Sequence, residues 1–392
     1  MDRPLFQGTL PHFGSCDLDV GREPPKLHIV TGRRSSQLRS EIRRLCPRRP
    51  GVYGMLDRHG ELIYVGKAKN LRARLLSYFR RRSRDPKAGR ILRHTGSIAW
   101  ETSANEFAAL HRELELIRRW RPRLNVQGQP LRRRFTFVCL GRPPAPYLFL
   151  ARRPPPSTLA CFGPIPLGRR AREAVRRLND WFGLRDCPQV QEMVFADQAE
   201  LFPVLRTAGC LRYEIGTCLG PCLAACSQND YSRKSRLARD FLAGIDLSPL
   251  VILERDMASA SARQEFERAA HLRDKLASLR WLHDKLDQQR LRLRESFIYP
   301  ISAMGRETIW YLVHGGRTVA AIPEPQDAEG AGAAAELIDA VYRKDPARLL
   351  DSYEHYDGLL LVASWFRRYP QQRKRTMQPG EALVRCRRWF NK

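Results

Sequence analysis

Gly51-Val52-Tyr53-Gly54-Met55, a turn at Asp57-Arg58-His59-Gly60, and then Leu62-Ile63-Tyr64-Val65-Gly66-Lys67-Ala68-Lys69-Asn70-Leu71 form the stretch that decides the fold. Two short apolar runs flank a turn built from Asp and Gly, and that pattern predicts a β-hairpin. Asn70 then stands where a helix N-cap belongs, ahead of Leu71, Leu75, Leu76 and Phe79 at helical spacing. Upstream, Leu38, Ile42 and Leu45 predict a short amphipathic helix that Pro47 ends. Downstream, Phe107, Leu110, Leu114 and Ile117 share one face of a helix over 105–120. Strand, strand, helix and helix within roughly 80 residues make an α+β unit.

The whole chain is 392 residues, enough for two or three units at roughly 150 residues per domain. Its 69 Lys+Arg against 41 Asp+Glu leave a formal charge of +28, an excess that calls for a polyanionic partner. The longest apolar runs, such as 358–366, fall far short of the ~20 residues of a membrane span. The first residues show no cationic segment followed by an apolar stretch, so the expectation is a cytoplasmic protein whose partner is nucleic acid, not membrane. Five of the ten cysteines crowd between 187 and 226, which in a reducing compartment points to a metal or cluster and not to disulfides.

The organisation expected around the 35–128 unit is a multidomain α+β chain. Residues 1–34 read as a poorly ordered leader. Residues 129–186 read as a proline-rich connector with strands near 135–140 and 147–151, a helix over 169–182 and little core of its own. A cysteine-rich region follows at 187–245. At 246–295 Phe266, Ala269, Leu272, Leu276, Leu279, Leu282 and Leu286 form a narrow seam, the mark of a helical hairpin or coiled coil. The tail, 296–392, opens with a hairpin signal at 308–322 and continues with helices near 331–343 and 357–368.

Seven polar residues of the 51–125 unit fall into one pattern: Tyr53 and Tyr64 on adjacent strands, Lys67 after them, Arg74 and Tyr78 one helical turn apart, Glu113 on a later helix and Asn125 beyond it. Phosphodiester hydrolysis needs a deprotonated nucleophile, cations for the developing charge and usually a metal on a carboxylate. The set supplies each. Taken singly, each residue is better read as packing or as a solvated face.

Taken together, Gly51-Val52-Tyr53, Tyr64-Val65-Gly66-Lys67-Ala68-Lys69-Asn70-Leu71, Arg74, Ser77-Tyr78-Phe79, Asn105-Glu106, Glu113 and Arg121-Pro122-Arg123-Leu124-Asn125-Val126 resemble the GIY-YIG nuclease domain of the UvrC family. The resemblance implies a small antiparallel sheet flanked by helices. It further implies one Mg²⁺ or Mn²⁺ on Glu113, with Tyr53, Tyr64, Lys67 and Tyr78 on the water and proton-transfer side, Arg74 on the scissile phosphate and Asn125 orienting its neighbours. A phenol titrates near pH ~10, so a basic tyrosine needs cations beside it, and Lys67 and Arg74 are expected to provide them. Between positions 61 and 134 there are 19 Lys+Arg and 6 Asp+Glu. The triplets Arg80-Arg81-Arg82 and Arg132-Arg133-Arg134 are therefore expected to contact DNA phosphates without reading sequence.

Cys187, Cys210, Cys218 and Cys222 are enough thiolates for zinc or for an iron–sulfur cluster, and their spacing alone does not decide. The segment from Cys210 to Cys222 is similar to the cysteine segment of UvrC, and that resemblance implies a [4Fe–4S] cluster, with Zn²⁺ as the alternative and Cys226 as a substitute ligand. Residues 257–274 resemble the UVR motif. In the family that motif pairs with UvrB, which implies a partner face at Phe266, Ala270, Arg273 and Leu276. The resemblance extends to about residue 290. Family members continue with an RNase H-like nuclease and helix-hairpin-helix units, whereas about 100 residues follow here and the first strand candidate, 297–300, carries no acid. The tail is accordingly expected to be a small non-catalytic α+β module.

These expectations amount to an excision-repair endonuclease that acts on double-stranded DNA with lesions, is recruited by UvrB and makes a single incision on the 3′ side. A stand-alone nuclease on branched DNA and a non-cutting repair adaptor are the alternatives.

Overall fold

In a computed structural model of the chain, residues 13–16, 18, 26–80, 88–125, 135–187, 191–199, 209–303, 307–345 and 354–389 are described. Two compact units emerge, one formed by Met1–Pro130 with Arg292–Lys392 and the other by Leu131–Leu291.

The first unit contains the predicted hairpin, β2 (Gly51–Leu56) and β3 (Leu62–Ala68), paired antiparallel with Gly51 opposite Ala68 and Tyr53 opposite Gly66. The other side of β2 pairs with β4 (Ser97–Thr102), and β4 pairs with β1 (His28–Thr31), so the sheet order is β1-β4-β2-β3. Both faces of this sheet are covered, which is why β2 is buried along its whole length. One face packs on α1 (Ser35–Leu45), α2 (Leu71–Ser77) and α3 (Ala88–His94) through Leu38, Ile42, Leu71, Leu75, Ile91 and Trp100. The other packs on α4 (Glu106–Trp120) through Val52, Val65, Ala109, Leu116 and Ile117. Asn70 and Asn105 cap α2 and α4, their side chains accepting from the Ala73 and Ala108 N–H groups.

Part of the segment read as an irregular leader is built into this unit. β1 forms an edge strand, and Phe13 is fully buried with its N–H donating to Glu101 at 2.8 Å. Arg112 holds the same segment from α4, donating to the Gly14 and Ser15 carbonyls and pairing with Glu101 and Glu115.

The tail follows as the three-stranded antiparallel sheet β8 (Phe297–Ser302), β9 (Thr308–His314) and β10 (Arg317–Pro323), with β9 central. Helices α9 (Ala328–Tyr342), α10 (Glu354–Arg368) and α11 (Pro379–Arg387) complete it. This module is docked on α4. Phe107 meets Tyr299, Tyr311 and Trp365 at ring separations of 5.0–5.4 Å, and Asn105 Nδ2 donates to the Tyr311 hydroxyl at 3.1 Å.

In the second unit, β5 (Phe135–Leu140) lies between β6 (Leu148–Ala151) and β7 (Ala160–Pro166), followed by α5 (Arg169–Phe182), α6 (Gln228–Ala243), α7 (Ser248–Ala262) and α8 (Phe266–Arg294). The proline-rich stretch therefore has a core, contrary to its sequence reading. Val138, Leu148, Ile165 and Leu178 share one buried cluster with Phe241, Leu253, Leu279 and Leu286. The prolines fall mostly between the strands, where turns need them, and leave the apolar strand residues free to pack. No helix of the described residues is long and apolar enough to cross a membrane.

Candidate nuclease site

Tyr53 projects from β2 across Gly66 of β3. A Cβ on Gly66 would come within 2.5 Å of the Tyr53 hydroxyl, so this close approach requires glycine. The hydroxyls of Tyr53 and Tyr78 lie 2.9 Å apart. Arg74, one turn before Tyr78, donates from Nε to Tyr53 at 3.1 Å and from Nη2 to Tyr78 at 3.3 Å. The Tyr64 ring completes a three-phenol cluster, 6.2 Å from the Tyr53 ring and 6.4 Å from that of Tyr78. Glu113 accepts the Lys67 backbone N–H at 3.0 Å, so the carboxylate is fixed against the end of β3. Asn125 accepts from the Val65 N–H and donates to the Val65 carbonyl, both at 2.6 Å. It completes the outer edge of β3 as a neighbouring strand would. The seven residues singled out in sequence thus gather about β3: Tyr53 and Tyr64 from the hairpin, Lys67 from β3 itself, Arg74 and Tyr78 from α2 and its C-terminal end, Glu113 from the middle of α4 on the other side of the sheet, and Asn125 at the β3 edge.

Burial dominates the electrostatics. It pushes the Glu113 carboxyl up to about 7, against the opposing pull of Lys67 and Arg74. The phenols of Tyr53, Tyr64 and Tyr78 all titrate above the ordinary tyrosine range, mainly because they are buried, and only Arg74 acts on all three in the opposite sense. Lys67 was expected to share that task. Its Nζ is instead engaged by Glu106 Oε1 at 3.0 Å, with Lys69 on the other oxygen at 2.9 Å. Burial works against the Glu106 charge, but the two lysines outweigh it and hold the carboxyl below its usual range.

Glu106 belongs to this neighbourhood and was not assigned a role from sequence. Its signal was available, since it precedes Glu113 by seven residues, two helical turns on the same face of α4. Tyr369, from the far end of the chain, reaches the same carboxylate at 3.4 Å, and nothing in the local sequence announces it.

Glu113 fits a hard divalent cation. The carboxylate is desolvated and carries a single described hydrogen bond, on Oε1. Such cations are commonly held by one or two carboxylates, completed by water and substrate phosphate. Among the described residues no three His, Cys, Asp or Glu side chains come together as a metal site. The described cysteines of the second unit form no such group, although their thiols neighbour one another. Burial raises the Cys222 thiol, and Cys187 and Cys210 add to it; burial likewise raises Cys218, with Cys210 and Cys222 adding. The Gly220 N–H donates to Cys218 Sγ at 3.4 Å. Cys226 is pushed up to about 12, by burial first and Cys218 second. By chemistry the donor set suits a thiophilic metal, but the thiols are not drawn into a shell.

Of the residues expected on DNA, Arg80 is exposed at the end of α2, whereas Arg81, Arg82, Arg132, Arg133 and Arg134 lie outside the described residues. Of those expected on a partner, Phe266 and Arg273 are exposed and Ala270 is partly so. Leu276 is buried in the core of its own unit and offers no free face.

Comparison with known proteins defines the class first. Residues 49–126 match the UvrC-like GIY-YIG domain, so the chain carries a GIY-YIG endonuclease domain. Residues 136–241 match the UvrC/Cho excinuclease middle domain and residues 253–280 the UvrB/UvrC motif, and with the three in that order the chain is UvrC-like. Among curated relatives, UvrABC system protein C of Ectopseudomonas mendocina is 35% identical over 61% of this chain and 38% of that protein. The same protein of Pseudomonas aeruginosa is 32% identical over 81% of this chain and 52% of that protein. The chain thus spans 38% and 52% of the length of these two relatives. The GIY-YIG N-terminal endonuclease domain of UvrC from Thermotoga maritima, solved with its catalytic magnesium, is 35% identical over all of that chain and 24% of this one, with a TM-score of 0.22.

Proposed function

We propose that this chain is a metal-dependent DNA endonuclease of nucleotide excision repair that makes a single incision, on the 3′ side of a lesion. The observation that carries the reading is the joint placement of Arg74, three phenols and the Glu113 carboxylate around the end of β3. A Mg²⁺ or Mn²⁺ held by Glu113 would supply charge for the developing phosphorane and lower the pKa of bound water. Arg74 already orients two phenol oxygens and is placed to meet a phosphate between them. Tyr53, Tyr64 and Tyr78 stay protonated in this environment, so they serve as hydrogen-bond partners that line up the attacking water. Proton removal from a phenol would need further positive charge in the site. Lys67 fixes Glu113 through its backbone and Glu106 through its side chain. Asn125 keeps β3 in register.

Recruitment by UvrB is assigned to the exposed end of α8, around Phe266, Ala270 and Arg273, with the remainder of that helix anchored by Leu276, Leu279 and Leu286. The same burial favours a second reading, in which the helix pair is internal packing and the nuclease acts alone on branched DNA. We further assign Cys187, Cys210, Cys218 and Cys222 to one thiophilic group, [4Fe–4S] or Zn²⁺, supported by their mutual electrostatic reach. Incision of an end-labelled lesion duplex with and without the loading proteins tests the main reading. UvrB-dependent cutting lost in Phe266→Ala/Arg273→Ala supports it, and equal cutting of undamaged branched DNA without UvrB favours the second.

A further inference from the structure

Among the described residues, the tail module meets the nuclease site at Tyr369, immediately after α10. Its hydroxyl donates to Glu106 Oε2 at 3.4 Å, and its ring carries Lys69 Nζ at 5.0 Å and the Arg368 guanidinium at 5.5 Å. Glu106 in turn holds Lys67, whose backbone N–H holds Glu113. Arg368 is therefore linked to the candidate metal ligand through a short series of direct contacts.

Positions 365–375 contain five cations and no acid. Arg373 is engaged, pairing with Glu295 and lying over Phe297 and Phe366. Arg367, Arg368, Lys374 and Arg375 are exposed and have no acidic partner among the described residues. Arg367 also adds to the burial that disfavours the charge on Arg292. Unpaired like charges within one short segment repel one another, and a polyanion relieves that repulsion.

We propose that Arg367, Arg368, Lys374 and Arg375 form a strip that grips the sugar–phosphate backbone of duplex DNA beside the cut, making the tail module a DNA clamp for the nuclease domain. The proposal rests on the nuclease reading above. Duplex backbone is favoured over single-stranded bases because stacking needs free aromatic faces. Here the Tyr369 ring is taken up by Lys69 and Arg368, and Trp365 is buried. Arg368 and the exposed Lys69 share the Tyr369 ring, so at that end the strip reaches the nuclease site.

The test uses the full chain in a Glu113→Ala background, which leaves DNA uncut, and measures anisotropy of a labelled duplex as a function of salt. Arg367→Ala/Arg368→Ala and Lys374→Ala/Arg375→Ala should each flatten the slope of log K against log salt by about 1.8, at about 0.9 per lost phosphate contact. Arg367→Lys/Arg368→Lys should restore the slope. Arg343→Ala, on the same module at the end of α9, should leave the slope as in the parent, and unchanged thermal unfolding should accompany every variant. Unchanged slopes in both double variants, or an equal change in Arg343→Ala, would overturn the proposal. The two readings fail separately: a chain with intact Glu113 that does not nick DNA while the slopes fall refutes the nuclease and not the clamp, and nicking with unmoved slopes refutes only the clamp.

Discussion

Replacing Glu113 by Gln should stabilise the metal-free protein at alkaline pH. Gln keeps an oxygen for the Lys67 N–H and removes the charge that burial opposes. The Glu113 carboxyl is raised from 4.5 to about 7 in the fold. A raised carboxyl binds its proton more tightly in the folded than in the unfolded chain, so stability falls as pH climbs from the unfolded value through the folded one. At 1.36 kcal/mol per pKa unit, the wild-type carboxylate costs about 3 kcal/mol at pH 8 and under about 1 kcal/mol at pH 5. Glu113→Gln should therefore exceed the wild type by about 3 kcal/mol at pH 8 in EDTA, a Tm gain on the order of 6–12 °C at 2–4 °C per kcal/mol. Thermal and guanidinium unfolding at the two pH values, with and without Mg²⁺, measure it. Mg²⁺ should stabilise the wild type and leave Glu113→Gln unchanged. A variant no more stable than the wild type at pH 8, or one whose gain is the same at pH 5, would refute the claim that the site stores a desolvated carboxylate for a cation.

The same titration governs metal affinity. The Mg²⁺ concentration giving half-maximal nicking should fall by about tenfold per unit from pH 5 to about 7 and then level off, whereas a flat profile would exclude Glu113 as the ligand. Asn125→Ala should cost about 2–4 kcal/mol in guanidinium unfolding, because it strands the Val65 N–H and carbonyl at a buried edge. Cys218→Ser should lower Tm and release bound metal in elemental analysis, whereas Cys386→Ser should release none; equal metal content in the two would remove Cys218 from the ligand set.

Much of the nuclease domain was legible because its signals are local. The Asp57–Gly60 turn, the Asn70 cap and the helical spacing of Leu71 and Leu75 each fix structure within a few residues, and the seven polar positions ride on those elements. What sequence did not show depends on partners far along the chain. Phe13 and β1 gain their places through distant partners such as Glu101, Arg112, Trp120 and the β4 edge, and a four-residue strand among Gly and Pro carries too little period to be seen. The docking of the tail turns on Phe107, which looked like an ordinary core residue of α4 and in fact faces Tyr299, Tyr311 and Trp365. Lys67 shows the same limit at the level of chemistry. Its position was legible, but its partner Glu106 is reached only across the packed β3–α4 interface, so the expectation that it would favour phenolate did not survive.

The measurement that bears most directly on the central claim is incision of an end-labelled duplex carrying one defined lesion, in Mg²⁺, by the wild type and by Glu113→Ala. A single product from cutting on the 3′ side of the lesion is expected. That product should be absent with EDTA and in Glu113→Ala, while duplex affinity stays close to wild type because arginines and lysines carry the binding. No incision by the wild type in the presence of the loading proteins, or a 5′ product that survives Glu113→Ala, would contradict it.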